Sequence, residues 1–197
     1  MTALEAALRQ ICLDLTETHS LFALVGGLAV SARTEPRFTR DADIAVAVGS
    51  DSEAEDLVRS LHARGYSVGA LVEQEAVGRL ATVRLTRSVE PAAPVIDLLF
   101  ASSGIEPEVV AGADAIQLLP KLRMHVATTG HLIALKVLAR DDLTRPQDLG
   151  DLRALVRVAT PADVERARAA LALIAERGYH RGRELQSELE KLLGNSA

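Results

Sequence analysis

Lysine is nearly missing from this 197-residue chain. Lys121, Lys136 and Lys191 stand against nineteen arginines. A coding bias that replaces Lys by Arg wherever only surface charge is wanted accounts for the skew, and it draws attention to any lysine kept in an apolar helix. Tryptophan is absent, and two Tyr and three Phe leave an aliphatic core without the aromatic platform on which single-strand readers stack bases. RRM-like and OB-like readers are disfavoured. The single cysteine, Cys12, excludes a disulfide framework and a multi-cysteine zinc site and suits a reducing compartment. No apolar run reaches the ~18 residues of a spanning helix, and Glu5 precedes any basic residue, unlike a secretory leader. The sequence therefore predicts a cytoplasmic protein with no membrane partner. A net charge of −5 argues against a large static phosphate-binding surface but leaves room for a local basic patch.

At 48% hydrophobic and 25% charged, the composition is that of a globular protein able to bury a core. Residues 3 to 18 carry Leu4, Ala7, Leu8, Ile11, Cys12 and Leu15 at helical spacing, so Cys12 reads as a core residue. A strand over Phe22 to Val25 runs into Gly26 and Gly27, and Leu28 to Arg33 reads as the first turns of a helix. Strands are expected over Ile44 to Val48 and near 66 to 72, 80 to 86, 95 to 100 and 122 to 126, with a helix from Ser52 to about Arg64. Pro107 and Gly112 bracket a connecting segment. Helices follow over 128 to 140, 146 to 158, 161 to 177 and 183 to 193. The fold class is α+β, a mixed β-sheet flanked by helices. Residues 1–127 form the core with its N-terminal helix, and residues 128–197 a helical lobe that completes the site.

Several residues stand out chemically. Gly26 and Gly27, between a strand and a helix, let backbone approach a ligand and favour an anion at the helix start, though a tight turn would use the same residues. Asp41 and Asp43 alternate on an extended chain, their Cα atoms roughly 6.5 to 7 Å apart on one side, with room for a divalent cation between the carboxylates. A solvated strand entrance is the other reading. Asp97, inside Val95 to Phe100, needs a cation, a donor or a pocket if it is buried. A metal site or a salt bridge to Arg84 would each suffice. Lys136 lies in an almost wholly apolar helix, where it can snorkel to the surface or reach an anionic ligand. Asp148 and Asp151 lie near the start of a helix opened by Pro146, where the helix dipole alone would favour them.

Taken in order, strand, double glycine and helix, RxTxDxD from Arg37 to Asp43, an isolated Asp97, LxALKxxA around Lys136 and RPxDLxDL ending at Leu152 resemble the polymerase-β-like nucleotidyltransferase superfamily. Within it the chain is most similar to the AbiEii family, including the MenT-type nucleotidyltransferase toxins of toxin-antitoxin systems. The resemblance spans roughly residues 22 to 155. It implies transfer of NMP from an NTP to an acceptor hydroxyl, with the 3′ end of tRNA as the expected acceptor and blocked aminoacylation as the consequence. It also implies nucleotide binding by Gly26, Gly27, Arg40 and Lys136, and Mg²⁺ (or Mn²⁺) binding by Asp41, Asp43 and Asp97. Catalytic roles fall to Asp41, Asp43, Lys136 and one of Asp148 and Asp151. Gly27 departs from relatives that carry serine there.

A cognate antitoxin is the implied partner. Thr39, two residues before Asp41, is the expected regulatory phosphorylation site for a kinase-like regulator, since a phosphate would bring about −1.5 to −2 charges to a metal and triphosphate site. Arg33, Arg37, Arg40, Arg181 and Arg183 are candidates for RNA phosphates. Two alternatives stand beside this reading: a transferase for a small molecule such as an aminoglycoside, or for a protein, and a non-catalytic nucleotide-binding module.

Overall fold

A computed structural model describes residues 2–37, 39, 41–74, 77–87, 94–141 and 146–194. In chain order these form α1 (Ala3–Glu17), β1 (Leu21–Val25), α2 (Gly26–Arg33), β2 (Asp41–Ala47), α3 (Asp51–Ala63), β3 (Ser67–Gln74), β4 (Arg79–Thr86), β5 (Val95–Leu99), α4 (Glu106–Ala111), β6 (Asp114–Leu119), β7 (Leu122–Val126), α5 (Thr129–Ala139), α6 (Pro146–Val158), α7 (Pro161–Glu176) and α8 (Leu185–Gly194). The class is α+β, as the sequence predicts. The strands make one mixed sheet of order β3-β4-β5-β2-β1-β7-β6, in which β1 pairs parallel with β7 and β2 parallel with β5, the other pairings being antiparallel.

Local chemistry sets the helix starts. Thr2 and Thr160 make reciprocal capping boxes with Glu5 and Asp163, and the Ser50 and Thr128 hydroxyls accept from the backbone N–H of Glu53 and His131. Each side-chain cap satisfies a donor that the first helical turn leaves without a partner. Buried residues of α1, the sheet and α5 to α8 belong to one continuous apolar cluster. Cys12 lies inside it, and burial pushes its thiol up to about 12, so it packs as a small hydrophobe. Among the described residues no helix is long and apolar enough to cross a membrane.

Two differences from the sequence reading bear on the site. Strand β2 begins at Asp41 rather than Ile44, so both aspartates are strand residues with fixed side-chain direction. The segment read as a connector holds α4, and β6 follows it as the partner of β7. Strand β6 is an edge strand with no fully buried residue, so its sequence lacks the strong apolar alternation that marks an inner strand.

Candidate active site

The site lies where β1 turns into α2. Gly26 holds a left-handed φ of +63°, and a Cβ placed there would collide with the Asp43 carboxylate. Only glycine combines that backbone conformation with that approach. Gly27 is crowded in another way: a Cβ there would come within 2.7 Å of Arg37 Nη2 and 2.9 Å of Thr39 Cγ2. The residue at the cap position of α2 is Val25, which offers no side-chain acceptor. Replacing Gly26 by Ala is expected to cost roughly 2 kcal/mol, the scale of strain for a side chain held in the left-handed region, and to displace Asp43. Urea unfolding of G26A measures the loss, and unchanged stability would contradict the close approach of Asp43 to Gly26.

Sheet register lines up the charged groups. Val25 pairs with Asp43, Asp43 with Asp97, and Asp97 with Arg84, a single row across β1, β2, β5 and β4. Alternation puts Asp41 on the same face of β2 as Asp43. Asp97 is held by Arg84, whose Nε and Nη2 donate to its two carboxylate oxygens at 2.9 and 2.7 Å. The salt bridge to Arg84, one of the two sequence readings, is therefore formed. The hydrogen bond to Asp97 is the largest cause raising the guanidinium's pKa, with smaller contributions from the charges of Asp41 and Asp43.

Helices α5 and α6 form the opposite wall. Lys136 does not snorkel: its side chain is only 13% exposed and its Nζ lies 2.6 Å from Asp148 Oδ1 and 2.8 Å from Asp151 Oδ2. Asp151 also receives both Nε and Nη2 of Arg37 at 2.7 Å. Two cations and two carboxylates thus make a charge-balanced network that ties the loop before β2 to α5 and α6. Asp148 lines the cleft with Lys136, whereas Asp151 does not border it. Asp148 Oδ2 and the Thr39 hydroxyl are both buried and lack hydrogen-bond partners among the described residues.

Between these walls is a cleft of about 670 Å³, bordered by Gly26, Gly27, Asp41, Asp43, Asp97, Arg84, Lys136, Asp148 and Arg181. That volume is in the range of small-molecule and cofactor sites. Of the predicted site residues, the structure brings together all but two: Asp151 stands behind Lys136, and Arg40 lies outside the described residues. The arginines proposed for phosphate divide. Arg33 donates to the carbonyls of Ala127 and Val126 and to Asp114, and Arg183 to the carbonyls of Leu138 and Arg140 and to Glu188. These two are structural, because planar guanidinium donors suit strand-end and helix-end carbonyls as well as they suit phosphate. Arg181 borders the cleft. Arg84 was missed as a site residue in its own right, although the alternation of Thr82, Arg84 and Thr86 with buried Ala81, Val83 and Leu85 would have placed it on the polar face.

A mixed sheet whose adjacent strands present carboxylates beside a glycine turn, closed by a helical wall, defines a nucleotidyltransferase fold. Similar structures include an antigenic nucleotidyltransferase-like protein from Paracoccidioides brasiliensis, at TM-score 0.56 and 16% identity over 97% of this chain and 92% of that one. The antibiotic-resistance factor ANT(2'')-Ia is similar at TM-score 0.56 and 16% identity over 95% of each chain. Its complex with adenylyl-2''-tobramycin gives TM-score 0.56 and 14% identity over 89% of this chain and 99% of that one. Identities this low show the fold alone. A family profile described as nucleotidyl transferase AbiEii toxin, Type IV TA system, matches residues 7–196, and the chain belongs to that family. No curated protein sequence matches the chain.

Proposed function

We propose that this protein is a divalent-metal-dependent nucleotidyltransferase that moves NMP from an NTP to the 3′ end of tRNA, as the toxin of a toxin-antitoxin pair. The observation that carries transfer is the row Asp43, Asp97 and Arg84 beside Gly26, faced across the cleft by Lys136 and Asp148. The tRNA acceptor follows from the resemblance to MenT-type toxins, and family membership implies a cognate antitoxin.

The donor set suits a hard cation, since carboxylate oxygens on alternate positions of one strand are the ligands that Mg²⁺ and Mn²⁺ take. Asp41 and Asp43 would hold it, with Asp97 adjacent. A bound divalent ion would supply charge stabilisation for the entering and leaving oxygens of an in-line displacement. Gly26 lets Asp43 lie against the start of α2, and the helix N-terminus there favours an anion such as the triphosphate. Lys136 brings positive charge from the other wall, and Asp148 and Asp151 fix its ammonium in place, so little reorganisation is needed when the pyrophosphate departs. The acceptor hydroxyl oxygen bonds to the α-phosphorus, the bond from that phosphorus to the α,β-bridging oxygen breaks, and the hydroxyl proton passes to a carboxylate or water.

Purified protein with total tRNA and each of four α-labelled NTPs, resolved on a sequencing gel, tests this reading. A labelled tRNA one or more nucleotides longer is expected. Label on an aminoglycoside or a protein while tRNA stays unlabelled would replace the acceptor, and no transfer to any of them would favour the non-catalytic module.

Thr39 is the proposed point of control. A phosphate on its hydroxyl would add about −1.5 to −2 charges two residues from Asp41, beside the wall formed by Gly27. Its Oγ1 is shielded, so a modifying enzyme reaches it only when that side chain turns outward. Coexpression with the antitoxin is expected to add a phosphate mass that T39V lacks. Equal intact masses with and without the antitoxin would end this proposal.

A further inference from the structure

Arg84 is a cation placed directly on a proposed metal-binding carboxylate, Asp97. It comes from the open side of the sheet: its side chain is 49% exposed while that of Asp97 is 12% exposed. Both Asp97 oxygens are engaged by the guanidinium fork, which is the geometry in which Arg binds a carboxylate most specifically. Asp41 and Asp43 are close enough for their charges to act on the same guanidinium. Three carboxylates on one sheet face repel one another, and a fixed positive group among them relieves that repulsion much as a bound metal would. Among the described residues no three His, Cys, Asp or Glu side chains stand together ready to hold an ion. Asp97 lies beside Asp43 in register, with one lone pair on each of its oxygens occupied by Arg84.

We propose that Arg84 is a built-in counter-cation that competes with the divalent ion for Asp97, holding the carboxylate cluster in the absence of metal and yielding Asp97 when the ion binds. This rests on the metal-dependent reading of the site given above. Arg84 is a positioning residue here, acting through Asp97. Because it is half exposed, it can leave without burying or stranding a charge. Once displaced, it stays beside the cleft, where a phosphate of the nucleotide can accept from it in place of Asp97.

The test is Mn²⁺ binding to the nucleotide-free protein, followed by electron paramagnetic resonance, for wild type, R84A, R84K, D97N and R84A/D97N, with thermal unfolding showing that each is folded. Loss of one opposing unit charge from a carboxylate site is worth about one decade in cation affinity, so R84A is expected to bind Mn²⁺ about ten-fold more tightly than wild type. R84K, a point charge without the fork, should fall between the two. In the D97N background the gain from R84A should vanish, because the competition runs through Asp97. Unchanged or weaker binding by R84A overturns the proposal, as does a gain of the same size with D97N, which would make Arg84 a diffuse charge only. If R84A unfolds, R84K carries the same comparison. Failure of the underlying reading looks different: D41N and D43N would then leave wild-type Mn²⁺ binding unaltered.

Discussion

A chain in which Lys136 is replaced by Met is expected to lose roughly 3–5 kcal/mol of folding stability, the cost of breaking a buried ion pair from one side, together with all measurable transfer. Asp148 and Asp151 are 3% and 4% exposed, and the Lys136 ammonium is the cation that both share. With methionine in its place the apolar stem still packs, but two buried carboxylates are left against the single guanidinium of Arg37. For a chain of this length the loss corresponds to a fall in Tm on the order of 10 °C. K136M/D148N removes the unbalanced charge and keeps the Arg37–Asp151 pair, and it should recover most of the Tm while remaining inactive. Recovery of both would make the lysine purely structural. A K136M protein within about 1 kcal/mol of wild type by urea unfolding would show that the acids are better solvated than their burial indicates.

That network also shows where the sequence stops being legible. Lys136 stands out because lysine is scarce and its helix is apolar, and Asp148 and Asp151 because they follow at helical spacing. Nothing along the chain says that all three meet, still less that Arg37 closes the network from 114 residues away. A helix pattern gives the face a residue occupies but not the partner across from it, and here the partners come from the loop before β2, from α5 and from α6. The strand signals behave similarly. Apolar alternation and flanking glycines locate β1, β2, β4 and β5 within a few residues, because inner strands bury one or both faces. The edge strand β6 buries no residue fully and so leaves little pattern. The family resemblance orders the motifs correctly along the chain, yet the row from Asp43 through Asp97 to Arg84 is a property of strand order and register, which the sequence does not state.

Arg84 and Arg33 show the same limit from the opposite direction. Both are single arginines near acids. One ends on a carboxylate inside the cleft and the other on main-chain carbonyls at the end of β7, and only the fold separates the two cases. It also divides the two acids of α6, since Asp148 borders the cleft and Asp151 locks Lys136 from behind. Both acids hold the Lys136 ammonium, and we propose that Asp148, which also borders the cleft, is the one beside the nucleotide.

Asp41→Asn should separate chemistry from stability in the way that Lys136 cannot. Asp41 is the exposed first residue of β2, on the same face as two further carboxylates, so loss of its charge relieves repulsion and leaves no buried group without a partner. Its effect on folding should stay within about 0.5 kcal/mol, the usual range for a surface substitution. The same change removes a hard anionic ligand from the proposed cation site, and losing one preorganised electrostatic contact in a transfer site costs at least roughly 10²-fold in kcat. Labelled-NTP transfer at saturating tRNA and Mn²⁺ gives the rate, and urea unfolding of the same preparation gives the stability. A D41N protein that transfers at the wild-type rate would remove Asp41 from the machinery and leave Asp43 and Asp97, the pair opposed in register, as the remaining anionic centre. An inactive D41N protein with an unchanged unfolding curve would place the lost rate in the chemistry of the cleft rather than in its packing.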